Sequence, residues 1–252
     1  MLNRIVHGEP TDRPPLVIAH GLFGSGRNWG VIARRLSDQR QVIAVDMRNH
    51  GASAWSGRHD YPAMADDLAE VIGAAGGVAD VSGHSMGGKA AMMLALRHPD
   101  LVRRLVVADI APVAYAHSQM PMIAAMRAVD LSALARRSDA EEQLAAQGVE
   151  RALQSFFTQS LDLAERRWRL NLDALEAEMD KIMGFPRTEA RWTGPALFLS
   201  GGDSDYVRRE HRPAIKALFP AARFARIPGA GHWLHADRPR EFEGAVRAFL
   251  NA

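Results

Sequence analysis

The sequence predicts an α/β chain: a mostly parallel sheet flanked by helices, with one helical insertion. Three observations carry that prediction. Short apolar runs alternate with helical patterns. The alternation fails once, between Ile110 and Pro195. A G-x-S-x-G motif sits where one apolar run gives way to a helix.

The elements follow in chain order. Asn3–Val6 is a weak opening strand. Leu16–Ala19, Val42–Val45, Val78–Ser82, Leu105–Asp109, Ala196–Ser200 and Arg223–Ile227 are short apolar runs bounded by turn residues, which is strand character. Trp29–Leu36, Met64–Gly73, Met86–Leu96, Arg212–Phe219 and Pro239–Leu250 repeat apolar residues at helical spacing. Residues 110–195 hold amphipathic stretches at Met120–Val129, Ala140–Ala146, Val149–Phe157 and Leu170–Ile182, and no convincing strand. A connection this long is not a plain loop. The expected organisation is a core of residues 1–109 and 196–252, with 110–195 as a helical lid over the sheet edge that presents strand C-termini.

Composition narrows the function. The chain has 252 residues, 47% of them hydrophobic, 24% charged. A chain of this size exposes roughly 11,000 Å² when folded, so it buries a full core without staples. There is no Cys, which removes disulfides, Cys-ligated zinc, iron–sulfur clusters and Cys nucleophiles. No apolar run is long enough to cross a bilayer, and the N-terminus lacks a signal-peptide pattern, so a cytoplasmic protein without integral membrane association is expected. The net charge of +2 carries no concentrated basic stripe, and no nucleic-acid partner is expected.

Chemistry concentrates in three places. Gly83-His84-Ser85-Met86-Gly87 places Ser85 on a sharp strand-to-helix turn, with small flanks and a helix N-terminus beneath it. Gly83 to Lys89 also matches G-x-x-x-x-G-K. Ala90 stands where a phosphate-binding loop needs a hydroxyl for Mg²⁺, so the nucleotide reading is set aside and Lys89 reads as a helix-surface residue. His20-Gly21-Leu22-Phe23-Gly24 follows the first strong strand. Its Leu22 N–H, with that of Met86, is the expected oxyanion hole, and His20 is expected to order the loop.

The base is expected on Pro228-Gly229-Ala230-Gly231-His232, a flexible loop able to bring His232 over Ser85. His235 is the rival. His84 is expected to point inward and His50 to rim the site. The acid that orients the base lies between Ser and His in chain order. Asp109 closes a buried strand, where an unpartnered carboxylate is costly. Asp203 and Asp205 lie in the loop after the next strand, and Asp173 lies in the insertion. The residues alone leave this choice open.

These motifs resemble the α/β-hydrolase family over essentially the whole chain. HGLFGSGRNW, VDMRNHGAS, YPAMADDL, GHSMGGKAAM, DIAPV and AGAGHWLHADRP are similar to the YbfF-type bacterial esterases and the eukaryotic α/β-hydrolase-domain-containing protein eleven. The resemblance implies a serine hydrolase of carboxylic esters, or of acyl thioesters such as acyl-CoA, with no cofactor or metal. It puts the nucleophile at Ser85, the base at His232, and the acid at Asp109 after the strand the family counts as its sixth. Ser204 assists or binds substrate. A lyase, a perhydrolase or an inactive binding protein can share the constellation. The expected partner is a small acyl ester or thioester, on a monomer or dimer. The lid methionines and aromatics (Met120, Met122, Met126, Met179, Met183, Phe156, Phe157, Phe185, Trp168, Trp192) either set an acyl pocket or pack the lid. Arg48, Lys89 and the lid arginines are the cations available to an anionic headgroup.

Overall fold

The computed structural model describes residues 1–252. Seven strands form one sheet: β1 (Arg4–His7), β2 (Leu16–Ala19), β3 (Val42–Val45), β4 (Ala79–His84), β5 (Val102–Ala108), β8 (Ala196–Gly201) and β9 (Arg223–Ile227). Their spatial order is β1-β3-β2-β4-β5-β8-β9. β1 pairs antiparallel with β3, and every other pairing is parallel. Parallel strands are covered on both faces, and the central ones read as continuous apolar runs for that reason. β2, β3, β4 and β8 are buried at every position, whereas the edge strands β1 and β9 carry exposed residues.

Alternate side chains of each strand feed two separate cores. Val17, Ile43, Val81, Leu105 and Phe198 point to the face covered by α2 (Tyr61–Ala74) and α3 (Met86–Arg97). Leu16, Ile18, Val42, Val106 and Leu199 point to the face covered by α1 (Gly30–Leu36) and α11 (Pro239–Asn251). The folded surface is 11269 Å², close to the size expectation.

The segment between β5 and β8 is mostly helical and packs with the α2/α3 face in one continuous core. It holds α4 (Met120–Arg127), α5 (Arg137–Ala146), α6 (Arg151–Thr158), α7 (Leu172–Ala177) and α8 (Met179–Met183). Two details differ from the sequence reading. A two-stranded ribbon, β6 (Leu161–Asp162) with β7 (Arg167–Trp168), interrupts the helices, turned at Arg166 with φ 48°. The stretch Leu170–Ile182 is two short helices that meet at Glu178. The insertion follows the fifth strand of this chain, not the sixth. The remaining helices are α9 (Arg212–Leu218) and α10 (Leu234–Asp237).

Candidate active site

Ser85 joins β4 to α3 with φ 51° and ψ −120°, a conformation side-chain-bearing residues seldom adopt. Such a residue costs about 1–3 kcal/mol and persists only where its surroundings enforce it. The neighbouring glycines do so by close approach. A Cβ on Gly83 would stand 2.2 Å from the Gly87 carbonyl oxygen, and one on Gly87 would stand 2.3 Å from that of Ala19. The Ser85 N–H donates to the Ala108 carbonyl (3.0 Å), tying the turn to the end of β5.

Three side chains then line up. Ser85 Oγ lies 3.1 Å from His232 Nε2, and His232 Nδ1 lies 2.8 Å from Asp109 Oδ2. A carboxylate only accepts, so it holds the proton on Nδ1 and leaves Nε2 to accept from the serine hydroxyl. Asp109 is fully buried, also with φ 51°. It accepts from the Gly201 N–H (3.0 Å) and from Ser204 Oγ. Burial without such donors would be costly for a carboxylate. The loop after β8 therefore supplies Ser204 to the carboxylate, not a carboxylate to the base. Asp203 and Asp205 are exposed, and Asp173 pairs with Arg127 on the outer surface. None of the three hydrogen-bonds His232.

Sequence reasoning missed Tyr206. Its ring stacks on the His232 imidazole at 3.8 Å, and its hydroxyl meets His117 Nε2 at 3.0 Å. A lone Tyr two residues after Ser204 gave no signal of that stacking.

Beside Ser85 runs the His20–Gly24 loop. A Cβ on Gly21 would stand 3.2 Å from Ser85 Cβ, so the two backbones are nearly in contact. The Leu22 N–H has no hydrogen-bond acceptor. Met86 opens α3, where the first N–H groups have none within the helix. The backbone on both sides of Leu22 is pinned by imidazoles. His20 Nδ1 meets the Gly21 carbonyl (2.7 Å) and its Nε2 accepts from Met47 N–H (2.9 Å). His50 Nε2 accepts from Phe23 N–H (3.2 Å). Each ring uses one nitrogen as donor and the other as acceptor, which suits the neutral form. Burial pushes both below the usual histidine range, in agreement.

Several expectations are corrected here. His50 does not rim the site; it is fully buried behind the loop it holds. Lys89 is not on the helix surface. It is 1% exposed and donates to the Met183 and Gly184 carbonyls. Its helix is buried nearly all round, so there is no polar face for a lysine to occupy. Arg48 is bound by two hydrogen bonds to Asp67, and Arg127, Arg136 and Arg169 of the insertion are paired with carboxylates. His235 stacks on Trp29 at 4.1 Å, and burial holds it at about 3. His84 is buried, with Nε2 on the His232 carbonyl (2.8 Å). No three His, Cys, Asp or Glu side chains gather as a metal site.

A cavity of about 340 Å³ opens beside Ser85. The insertion contributes Leu153, Phe156, Phe157, Ile182 and Met183 to its walls. Met126, Met179, Trp168 and Trp192 pack elsewhere in the core, and Trp168 Nε1 donates to the Met126 carbonyl (3.0 Å). No helix is long and apolar enough to cross a membrane.

Residues 14–239 match the family model described as alpha/beta hydrolase fold. The chain is 43% identical to mouse sn-1-specific diacylglycerol lipase ABHD11, over 98% of this chain and 83% of that one. It is 41% identical to Escherichia coli esterase YbfF, over 94% of this chain and 93% of that one. Among solved structures, a marine microorganism esterase superposes with a TM-score of 0.93 at 39% identity, over 98% of each chain. With the family model covering most of its length and such relatives nearly end to end, the chain belongs to the α/β-hydrolase family.

Proposed function

We propose that this chain is a serine esterase that cleaves carboxylic esters through Ser85, His232 and Asp109 by way of an acyl-enzyme. That it is a carboxylic ester hydrolase rests on its esterase and lipase relatives. The observation carrying the finer reading is the hydrogen-bonded line from Ser85 Oγ to Asp109, with the His20–Gly24 loop and its unpaired Leu22 N–H at the Ser85 end.

His232 Nε2 takes the hydroxyl proton as Ser85 Oγ bonds to the carbonyl carbon. The carbonyl oxygen becomes an oxyanion, held by the N–H groups of Leu22 and Met86. Fixed donors of this kind contribute about 10²–10³-fold each. Asp109 remains ionised and steadies the imidazolium. His232 passes the proton to the leaving alkoxide, and the ester bond breaks. Water then attacks the acyl-enzyme, giving its proton to His232, which returns it to Ser85 as the acid leaves. A thiolate can leave in place of the alkoxide, so acyl thioesters are a second substrate class for the same steps.

The insertion acts in this reading as the lid that shapes the acyl pocket. Its support is the set of apolar side chains from residues 153–183 in the cavity wall. The test is hydrolysis of p-nitrophenyl esters from acetate to decanoate, and of matched acyl thioesters, with Ser85→Ala protein as blank. Ser85-dependent turnover with a chain-length optimum is expected. Equal rates in wild type and blank at every length would overturn the assignment.

A further inference from the structure

Lys89 has no part in the chemistry just described, and its surroundings ask for an explanation. It lies one turn after Ser85 on α3, its side chain is buried, and no carboxylate pairs with it. Its ammonium donates to the carbonyls of Met183 (2.9 Å) and Gly184 (2.6 Å). It stands 4.8 Å from the ring centre of Tyr115 and 5.7 Å from that of Tyr61. The preceding carbonyl, of Ile182, accepts from the Tyr61 hydroxyl. Met183 also accepts from the Tyr115 N–H (3.1 Å). The last carbonyls of a helix have no partner within it. At the end of α8, three in succession are taken up by α2, α3 and the start of the insertion.

The position of these carbonyls matters for the cavity. Ile182, Met183 and Lys89 all line it, so the register of this backbone decides where the two apolar side chains stand. The tie joins the nucleophile's own helix to the insertion through a single side chain. We propose that Lys89 is a positioning residue that sets acyl specificity: it fastens residues 182–184 to α3 and so fixes one wall of the acyl cavity. This rests on the esterase reading above.

Other roles fit less well. The ammonium makes no hydrogen bond to Ser85 or His232, so it does not relay the catalytic proton. Its donors are engaged by carbonyls and its remaining side faces Tyr115, so it is not free for an anionic headgroup. Burial lowers its pKa to about 7; the neutral Tyr61 and Tyr115 face it, and His117 lies near enough to feel its charge. A neutral amine still has two N–H donors for the two carbonyls, so the tie survives in either protonation state.

The test compares wild type with Lys89→Met in the full chain, by two readouts. The first is the ratio of kcat/KM for p-nitrophenyl octanoate to that for the butyrate. Loosening the wall raises this ratio by about ten-fold, the scale on which a pocket senses chain length. The second is amide hydrogen exchange in the ligand-free protein. Exchange speeds up in residues 179–186, while β4 and the rest of α3 keep their protection. Both changes together are the expected result. Either one without the other, or an equal loss of rate on both esters, overturns the proposal. Should Lys89→Met fail to fold, Lys89→Gln keeps a polar group but is too short to reach both carbonyls, and the same two changes are expected at smaller size. Absence of Ser85-dependent hydrolysis in wild type would sink the esterase reading instead, and the exchange comparison would still judge the tie.

Discussion

The sheet edge and the insertion above it are held in different ways. At the edge, Ser85 and Asp109 occupy unfavourable backbone conformations that surrounding backbone enforces. Asp109 receives three donors in full burial. The insertion is built of helices of 5–10 residues, with ion pairs such as Arg127–Asp173 and Arg127–Glu176 on its outer surface. Exposed pairs of that kind contribute little. On the proposed reading, the sheet end fixes the reaction geometry and the insertion shapes the acyl pocket.

The largest expected effects fall on the edge. Ser85→Ala should lower kcat by about 10⁶-fold with an unchanged circular-dichroism spectrum. Asp109→Asn should lower it by about 10⁴-fold, because an amide can leave the imidazole in the wrong tautomer. Ser204→Ala removes one hydrogen bond to a charged group, about 1.5–3 kcal/mol, and should cost about ten- to a hundred-fold in kcat/KM. If Ser204→Ala were as damaging as Asp109→Asn, the serine would belong to the reacting set and the contrast would need redrawing.

A fourth prediction concerns pH. His20, His50, His59, His84 and His235 are held neutral by burial, with His59 and His235 at about 3. An unfolded chain protonates them near about 6.5. Stability contributed by the neutral rings is therefore complete above that value and is lost as pH falls towards the folded values. The thermal midpoint should drop from pH 6.5 to 4.5. His235→Phe, which keeps a ring against Trp29, should flatten that drop. An equally steep fall in the variant would contradict the account of His235.

The smallest effects fall on carboxylates away from the imidazole. Asp173→Asn, Asp203→Asn and Asp205→Asn should each leave kcat/KM within about two-fold, as exposed substitutions usually do. A large loss at Asp205 would move the acid off Asp109.

Much of the edge was readable from residues alone. Alternation of strand and helix, the glycines around Ser85 and the glycine loop before His232 are local features with local causes. The acid was not, because Asp109 and the loop carrying Asp203 and Asp205 end neighbouring strands, and a sequence does not say which side chain turns inward. The β8–β5 pairing brings the Gly201 N–H and Ser204 to Asp109, and Asp109 is the one of these carboxylates that meets His232. Lys89 was misread as a surface residue, although the signal against that lay in its helix. A lysine in a helix apolar all round has no surface to face. Its partners, distant in the chain, were not legible. His50 was misjudged for a similar reason: its role is to hold Phe23, and that contact exists only once two strand ends are neighbours.

The central claim is that Asp109 and His232 activate Ser85. It is tested most directly by the rate at which an organophosphate ester labels the protein, read by peptide mass spectrometry. The account predicts one adduct, on the peptide holding Ser85, absent in Ser85→Ala and formed at least about 10²-fold more slowly in Asp109→Asn, as loss of general-base assistance implies. An adduct elsewhere, or equal labelling rates in wild type and Asp109→Asn, would contradict it.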